Sequence, residues 1–143
     1  MNTPQRLAVI GALIFSGHAL AAQGTLYKDP NCGCCTAWAE HLQGKGITLQ
    51  VEPSRELASV RSRFGVPSDM GACHTARIGG YTFEGHVPAD LVQKVLHDKP
   101  KNLVGLAVPG MPPGSPGMEG MGKVAYKVYA FDKTGKRFVY AER

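Results

Sequence analysis

The residues of this chain best placed to do chemistry are its cysteines. Cys32-Gly33-Cys34-Cys35 sets three thiols within four residues, and Cys73 adds a fourth. Cys32 and Cys35 make a C-x-x-C that follows a short strand and opens a helix. Unpaired backbone N–H groups and the helix dipole stabilise a thiolate at such a place. A thiol that ordinarily titrates near ~8.5 falls there by one to several units. Thiolate attacks disulfides, and it also binds soft metals. Cys34 separates the two uses. A third thiol inside the pair offers competing partners to a dithiol carrier, whereas a metal site gains a ligand. Stapling by two disulfides is the plainer use of four cysteines, and three connectivities are open to it. A Cys34–Cys35 bond would be a strained vicinal one, and a domain of this size does not need stapling.

Zinc sites usually carry two separated C-x₂₋₄-C pairs, and here Cys73 stands alone. The compact sulfur group can bridge several ions, and soft thiolates and thioethers select Cu(I). A zinc or iron–sulfur site is the lesser metal reading. Residues 105–122 point toward copper as well. Ten of these 18 residues are Gly or Pro, and Met111, Met118 and Met121 lie among them. Met111 and Met118 are candidate additional ligands, with Met118 expected nearest the thiols under a loop folded over them as a lid. A plain surface flap is the alternative, since Met is common in adaptable loops. His74 adjoins Cys73, and His86 precedes a helix on the side where the thiols should lie. Both are candidate ligands or donors behind the ligands, with His86 expected on the wall opposite the lid. His41 and His97 read as surface residues, and Trp38 as core that could shield the site.

The elements that must position these groups follow from periodicity. Thr25–Lys28 reads as a strand. Cys35, Trp38, Ala39 and Leu42 recur at i, i+3, i+4 and i+7, a helix face closed by Gly44 and Gly46. Ile47, Leu49 and Val51 alternate as a strand. Pro53-Ser54 opens a second helix through Leu57, Val60 and Phe64. Thr75–Ile78 and Tyr81–Phe83 flank Gly79-Gly80 as a hairpin. Pro88 starts a third helix carrying Leu91, Val92, Val95 and Leu96. The expected fold is α/β and thioredoxin-like, a β-α-β-α-β-β-α core. The Gly/Pro/Met-rich loop follows it, and then a C-terminal β-hairpin over 124–131 and 137–140.

Residues 1–21 hold one charge, Arg6, then a short apolar run from Leu7 to Phe15 and the small residues of Ala19-Leu20-Ala21. This predicts a secretory signal cleaved before Ala22, leaving 22–143 as one copper-binding domain. The expected destination is an oxidising compartment, the bacterial periplasm. No stretch approaches the ~18 apolar residues of a membrane span. The chain has 143 residues and a net charge of +5. That charge is mild and scattered, with no basic cluster interleaved with aromatics, which argues against nucleic acid as a partner.

Four motifs in order carry a resemblance over 25 to about 140. They are Tyr27-Lys28-Asp29-Pro30-Asn31-Cys32-Gly33-Cys34-Cys35 with Trp38; Cys73-His74-Thr75-Ala76; Gly85-His86-Val87-Pro88-Ala89; and Gly105 through Pro112 with Gly114 through Glu119. The chain resembles the CopG-type periplasmic copper-resistance proteins, a family long known as a domain of unknown function. The resemblance implies a thioredoxin-like fold whose cysteines bind copper as a multinuclear cluster, with conversion between Cu(I) and Cu(II) under copper stress. Carried over by residue, the ligands are Cys32, Cys34, Cys35 and Cys73. Copper ions and other periplasmic copper-handling proteins are the expected partners. Two thioredoxin features are missing: no proline precedes the strand at Thr75, and the interior of the C-x-x-C is Gly-Cys. Both weaken the alternative reading, a thiol–disulfide oxidoreductase using Cys32 and Cys35.

Overall fold

A computed structural model describes residues 22–143. The expected signal segment, 1–21, lies outside the described residues. The elements run β1 (Ala22–Lys28), α1 (Gly33–Gln43), β2 (Ile47–Pro53), α2 (Leu57–Arg63), β3 (His74–Ile78), β4 (Tyr81–Glu84), α3 (Ala89–Asp98), β5 (Leu103–Ala107), β6 (Lys127–Asp132) and β7 (Arg137–Glu142). Single 3₁₀ turns occupy Ser68–Met70 and Glu119–Met121. The strands form one mixed sheet in the order β2-β1-β3-β4-β5-β6-β7. β1 runs parallel to β2, as the crossover through α1 requires, and β4 runs parallel to β5. The remaining neighbours are antiparallel. Among the described residues, no helix is long and apolar enough to cross a membrane.

The helices sit where their apolar faces put them. Cys35, Trp38 and Leu42 of α1 are fully buried at i, i+3 and i+7. Leu91, Val92 and Val95 of α3 join them around Leu26, Ile78, Phe83 and Leu106 of the sheet. Cys32 caps α1, its sulfur accepting from the Cys35 N–H at 3.3 Å.

The expected element order holds through α3, after which the structure departs from it. Leu103–Ala107 is a central strand, β5, although Gly105 onward reads as loop. Gly105 is there because strands meet closely. A Cβ on it would overlap the Thr82 carbonyl oxygen of β4 and stand 3.0 Å from the Phe131 ring of β6. Boundaries move too. β1 begins at Ala22, and β2 runs on to Pro53, so α2 starts only at Leu57. β6 begins at Lys127, and β7 extends to Glu142.

Gly105→Ala should destabilise the fold by about 3 kcal/mol or prevent β5 from seating. Gly120→Ala, where a Cβ meets nothing within 4 Å, should change little. Urea unfolding of the two variants checks this, and equal stabilities would remove the close approach at Gly105 as a constraint.

Candidate metal centre

The β1–α1 turn and the start of β3 bring all four sulfurs together. The ligand atoms of Cys32, Cys34, Cys35 and Cys73 all lie within 4.8 Å of one another. Cys32 and Cys35 are joined as a disulfide, while Cys34 and Cys73 are free. The sulfur of Cys34 is 3.5 Å from that of Cys32. Cys35 is fully buried, and the other three are partly exposed. Stapling by two disulfides is therefore not what the four cysteines do here. In this form two sulfurs are tied to each other, and four thiolates become available only once that bond is reduced.

The two candidate histidines close the other side. Cys73, His74 and His86 form a second group whose ligand atoms lie within 4.8 Å of one another. The Cys73 sulfur is 3.1 Å from His86 Nε2 and 3.4 Å from His74 Nδ1. His86 Nδ1 lies 2.7 Å from the Pro116 carbonyl oxygen. A carbonyl only accepts, so Nδ1 carries the proton and Nε2 presents its lone pair toward Cys73. His74 is fully buried against Trp38, with ring centroids 4.5 Å apart, and its Nε2 has no hydrogen-bond partner. Trp38 does shield the site, and its indole N–H also donates to the Val87 carbonyl at 2.9 Å, tying α1 to the His86 segment. His97 is exposed and His41 half-buried, and neither joins the two groups.

The Met-rich segment folds over the cysteines, but as a built loop and not as a segment short of hydrogen bonds. Gly114 N–H donates to the Met118 carbonyl, Met118 N–H to Ser115, and Val124 N–H to Pro113. Buried Ser115 donates to the Pro112 carbonyl at 2.7 Å. Gly117, at φ +89°, lies against α1. A Cβ there would stand 2.8 Å from the Cys34 carbonyl oxygen and 3.0 Å from Trp38 N. Met111 and Met118 line a pocket with Cys34. His86 does not approach from the opposite wall, since the loop itself holds its ring through Pro116.

Two residues that shape the site escaped the sequence reading. Glu84 is fully buried, and its carboxylate accepts from Ala72 N–H at 2.7 Å and from the Thr75 hydroxyl at 2.5 Å. It thus grips both sides of Cys73-His74. Arg61 stands 3.6 Å from the same carboxylate and donates to the Ala72 carbonyl at 3.2 Å. The one sequence cue was a Glu placed between the apolar end of a hairpin strand and a Gly-His turn.

Burial disfavours charge on Cys73, His74 and His86. Burial, and then the neighbouring Cys34, pushes the Cys73 thiol up to about 12. Burial, and then His86, holds the His74 imidazole down to about 3. Burial likewise lowers His86. The donor set is thiol and neutral imidazole, which suits a soft or borderline cation once the sulfurs give up their protons.

The His74 shift has a consequence for stability. Unfolding exposes an imidazole that takes a proton near 6.5, whereas the folded one stays neutral down to about 3. Between those values the unfolded state binds the extra proton. Stability of the metal-free protein should therefore fall with pH through that window, by about 1 kcal/mol per unit from this residue. Urea unfolding across about pH 4.5 to 7 should give a shallower loss for His74→Gln than for the parent. Parallel profiles would assign the acid sensitivity elsewhere.

A family model described as "Protein of unknown function, DUF411" matches residues 70–118, the stretch from the Cys73 corner through His86 to Met118. No curated protein matches the chain. Two solved structures do, a copper resistance protein CopG in Form 2 and in Form 1. Each is 43% identical and covers 85% of this chain; the shares of the solved chains covered are 98% and 96%, with TM-scores of 0.80 and 0.79. With that identity sustained over nearly the whole of the solved chains, this chain belongs to the CopG family of copper resistance proteins.

Proposed function

We propose that this chain is a periplasmic copper-binding protein that holds copper in a multinuclear Cu(I)–thiolate site, for copper resistance and homeostasis, and interconverts Cu(I) and Cu(II). One observation carries the reading: Cys73 belongs to both ligand groups at once, the four-sulfur one and the Cys73–His74–His86 one. A thiolate shared by two groups is a bridge, and six donors exceed what one ion takes. Cys32, Cys34, Cys35 and Cys73 are the ligands, with His86 and His74 completing the second group, and Met118 and Met111 line the pocket beside Cys34. Thiolates favour Cu(I) and imidazoles also suit Cu(II), so the site accommodates both states. The Cys32–Cys35 bond supplies the electron count. Two Cu(II) ions each take one electron from the reduced pair, the two thiolates close to the bond, and two Cu(I) result; an external reductant that reopens the bond resets the pair. The likeness to copper resistance proteins, the signal-like 1–21 segment and a disulfide that an oxidising compartment preserves support the periplasm. The order β2-β1-β3-β4, with β1 and β2 parallel and the others antiparallel, supports a thioredoxin-like core. Other periplasmic copper-handling proteins would deliver or receive the metal.

A second reading rests on the same bond. A disulfide at the N-terminus of α1 is where a thiol–disulfide oxidoreductase would carry one. Against it stand Cys34, 3.5 Å from Cys32 and ready to compete, and Cys73 in place of a proline before β3.

Anaerobic titration of the fully reduced mature chain with Cu(I) should give more than one copper per chain. Ser at 32, 34, 35 or 73 should each lower the count or the affinity. Parental binding by Cys34→Ser would reduce the site to a simple C-x-x-C. In an insulin-reduction assay the protein should be far slower than a thioredoxin, and a comparable rate would promote the second reading.

A further inference from the structure

Three thioethers gather at the surface beside Cys34. Met111, Met118 and Met121 line a single pocket of about 560 Å³ together with Cys34. Met111 is 50% exposed and Met121 68% exposed. Three of the chain's five methionines thus meet at one surface opening. Cys35, His74 and His86 are fully buried, so the cluster is approached past its partly exposed cysteines, Cys32, Cys34 and Cys73. Cys34 is the one of these that lines the pocket, and its sulfur is at the same time 3.5 Å from Cys32.

We propose that this pocket is a separate entry site for Cu(I), in which Met111, Met118 and Met121 capture the ion and Cys34 relays it to the cluster. The inference rests on the copper reading above and adds a second, weaker site to it. Thioether sulfur is soft and neutral, so it selects Cu(I) over harder ions without adding charge. It binds more weakly than thiolate and releases the ion readily. Unbranched Met side chains on a Gly-rich loop re-aim at little cost. The ion enters with two or three thioethers as ligands. Cys34 gives up its proton as its Cu–S bond forms, and the thioethers leave as further thiolates attach. Copper stays Cu(I) throughout, so the step needs no oxidant or reductant. Leucine at the same positions would pack as well but bind nothing, which makes the sulfur the testable part.

The experiment uses the mature chain labelled with ¹³C-methyl methionine, titrated anaerobically with Cu(I). In a variant with Ser at 32, 34, 35 and 73, the methyl signals of Met111, Met118 and Met121 should shift together and saturate. Buried Met70 serves as the internal control and should stay put. In the otherwise unaltered reduced chain, Met111→Leu, Met118→Leu and Met121→Leu together should leave unchanged the copper retained against excess bicinchoninate, to which the weaker site gives up its ion, and should slow loading from Cu(I)–bicinchoninate severalfold. An unchanged loading rate, or methyl signals indifferent to Cu(I), would overturn the entry site. A lower retained count in the leucine variant would also overturn it, by making the thioethers ligands of the cluster itself. Failure of the copper reading looks different: the unaltered reduced chain would take up no Cu(I) at all.

Discussion

The register of one hairpin underlies the whole site. The two-residue turn at Gly79-Gly80, both at positive φ, sets Ile78 opposite Tyr81 and Thr75 opposite Glu84. The Gly85 N–H bond to the His74 carbonyl carries that pairing one step beyond the strands. One step further, the same register brings Cys73 opposite His86, and their ligand atoms are 3.1 Å apart. A slip of one residue would send these side chains to different faces. Every other component is arranged around that pair. β3 lies beside β1, which leads into the Cys32 turn, and Lys28 at the end of β1 pairs with His74.

Polar groups then hold the pair in place. Glu84 sits at the end of β4 and would be costly to bury alone. It is buried because Ala72, Thr75 and Arg61 satisfy it. In return it holds the Ala72 N–H on one side of Cys73-His74 and the Thr75 hydroxyl on the other, at the corner where a thioredoxin-like protein would rely on a proline. His86 is held from the far side by Pro116 and Trp38 through its neighbour Val87. The Gly/Pro-rich loop is thus a structural member of the site, and its contact with α1 at Gly117 leaves no room for a side chain.

Local patterns made much of this legible. The i, i+3, i+7 face of Cys35, Trp38 and Leu42, the Gly79-Gly80 turn and the compact C-x-C-C group each state their structure in adjacent residues. What stayed hidden depends on distant segments. Gly105 read as the start of a loop, because nothing near it in sequence tells that Thr82 crosses above it. Glu84 and Arg61 carried no local signal, since their partners come from other elements. The position of His86 relative to the loop depended on one hydrogen bond to a carbonyl thirty residues away, which side-chain chemistry alone does not reveal. Met121 lacked a role until the fold placed it in the pocket with Cys34.

Burial makes ionisation and metal capture a single event. An isolated Cys73 thiolate is disfavoured by its surroundings, and the adjacent Cys34 and the buried carboxylate of Glu84 add to the penalty. No imidazolium offsets it, because His74 and His86 are both held neutral. Lys28 is buried with its ammonium donating to the carbonyls of Asp29 and Pro30, which orders the turn before Cys32. A cation arriving among the sulfurs supplies the missing charge, and the thiol proton leaves as the metal–sulfur bond forms. The same penalty that keeps Cys73 protonated makes its thiolate a stronger donor once formed. A cation that binds sulfur weakly cannot displace those protons. The buried indole of Trp38, packed against His74, therefore contributes to selection of the metal, although it offers no ligand.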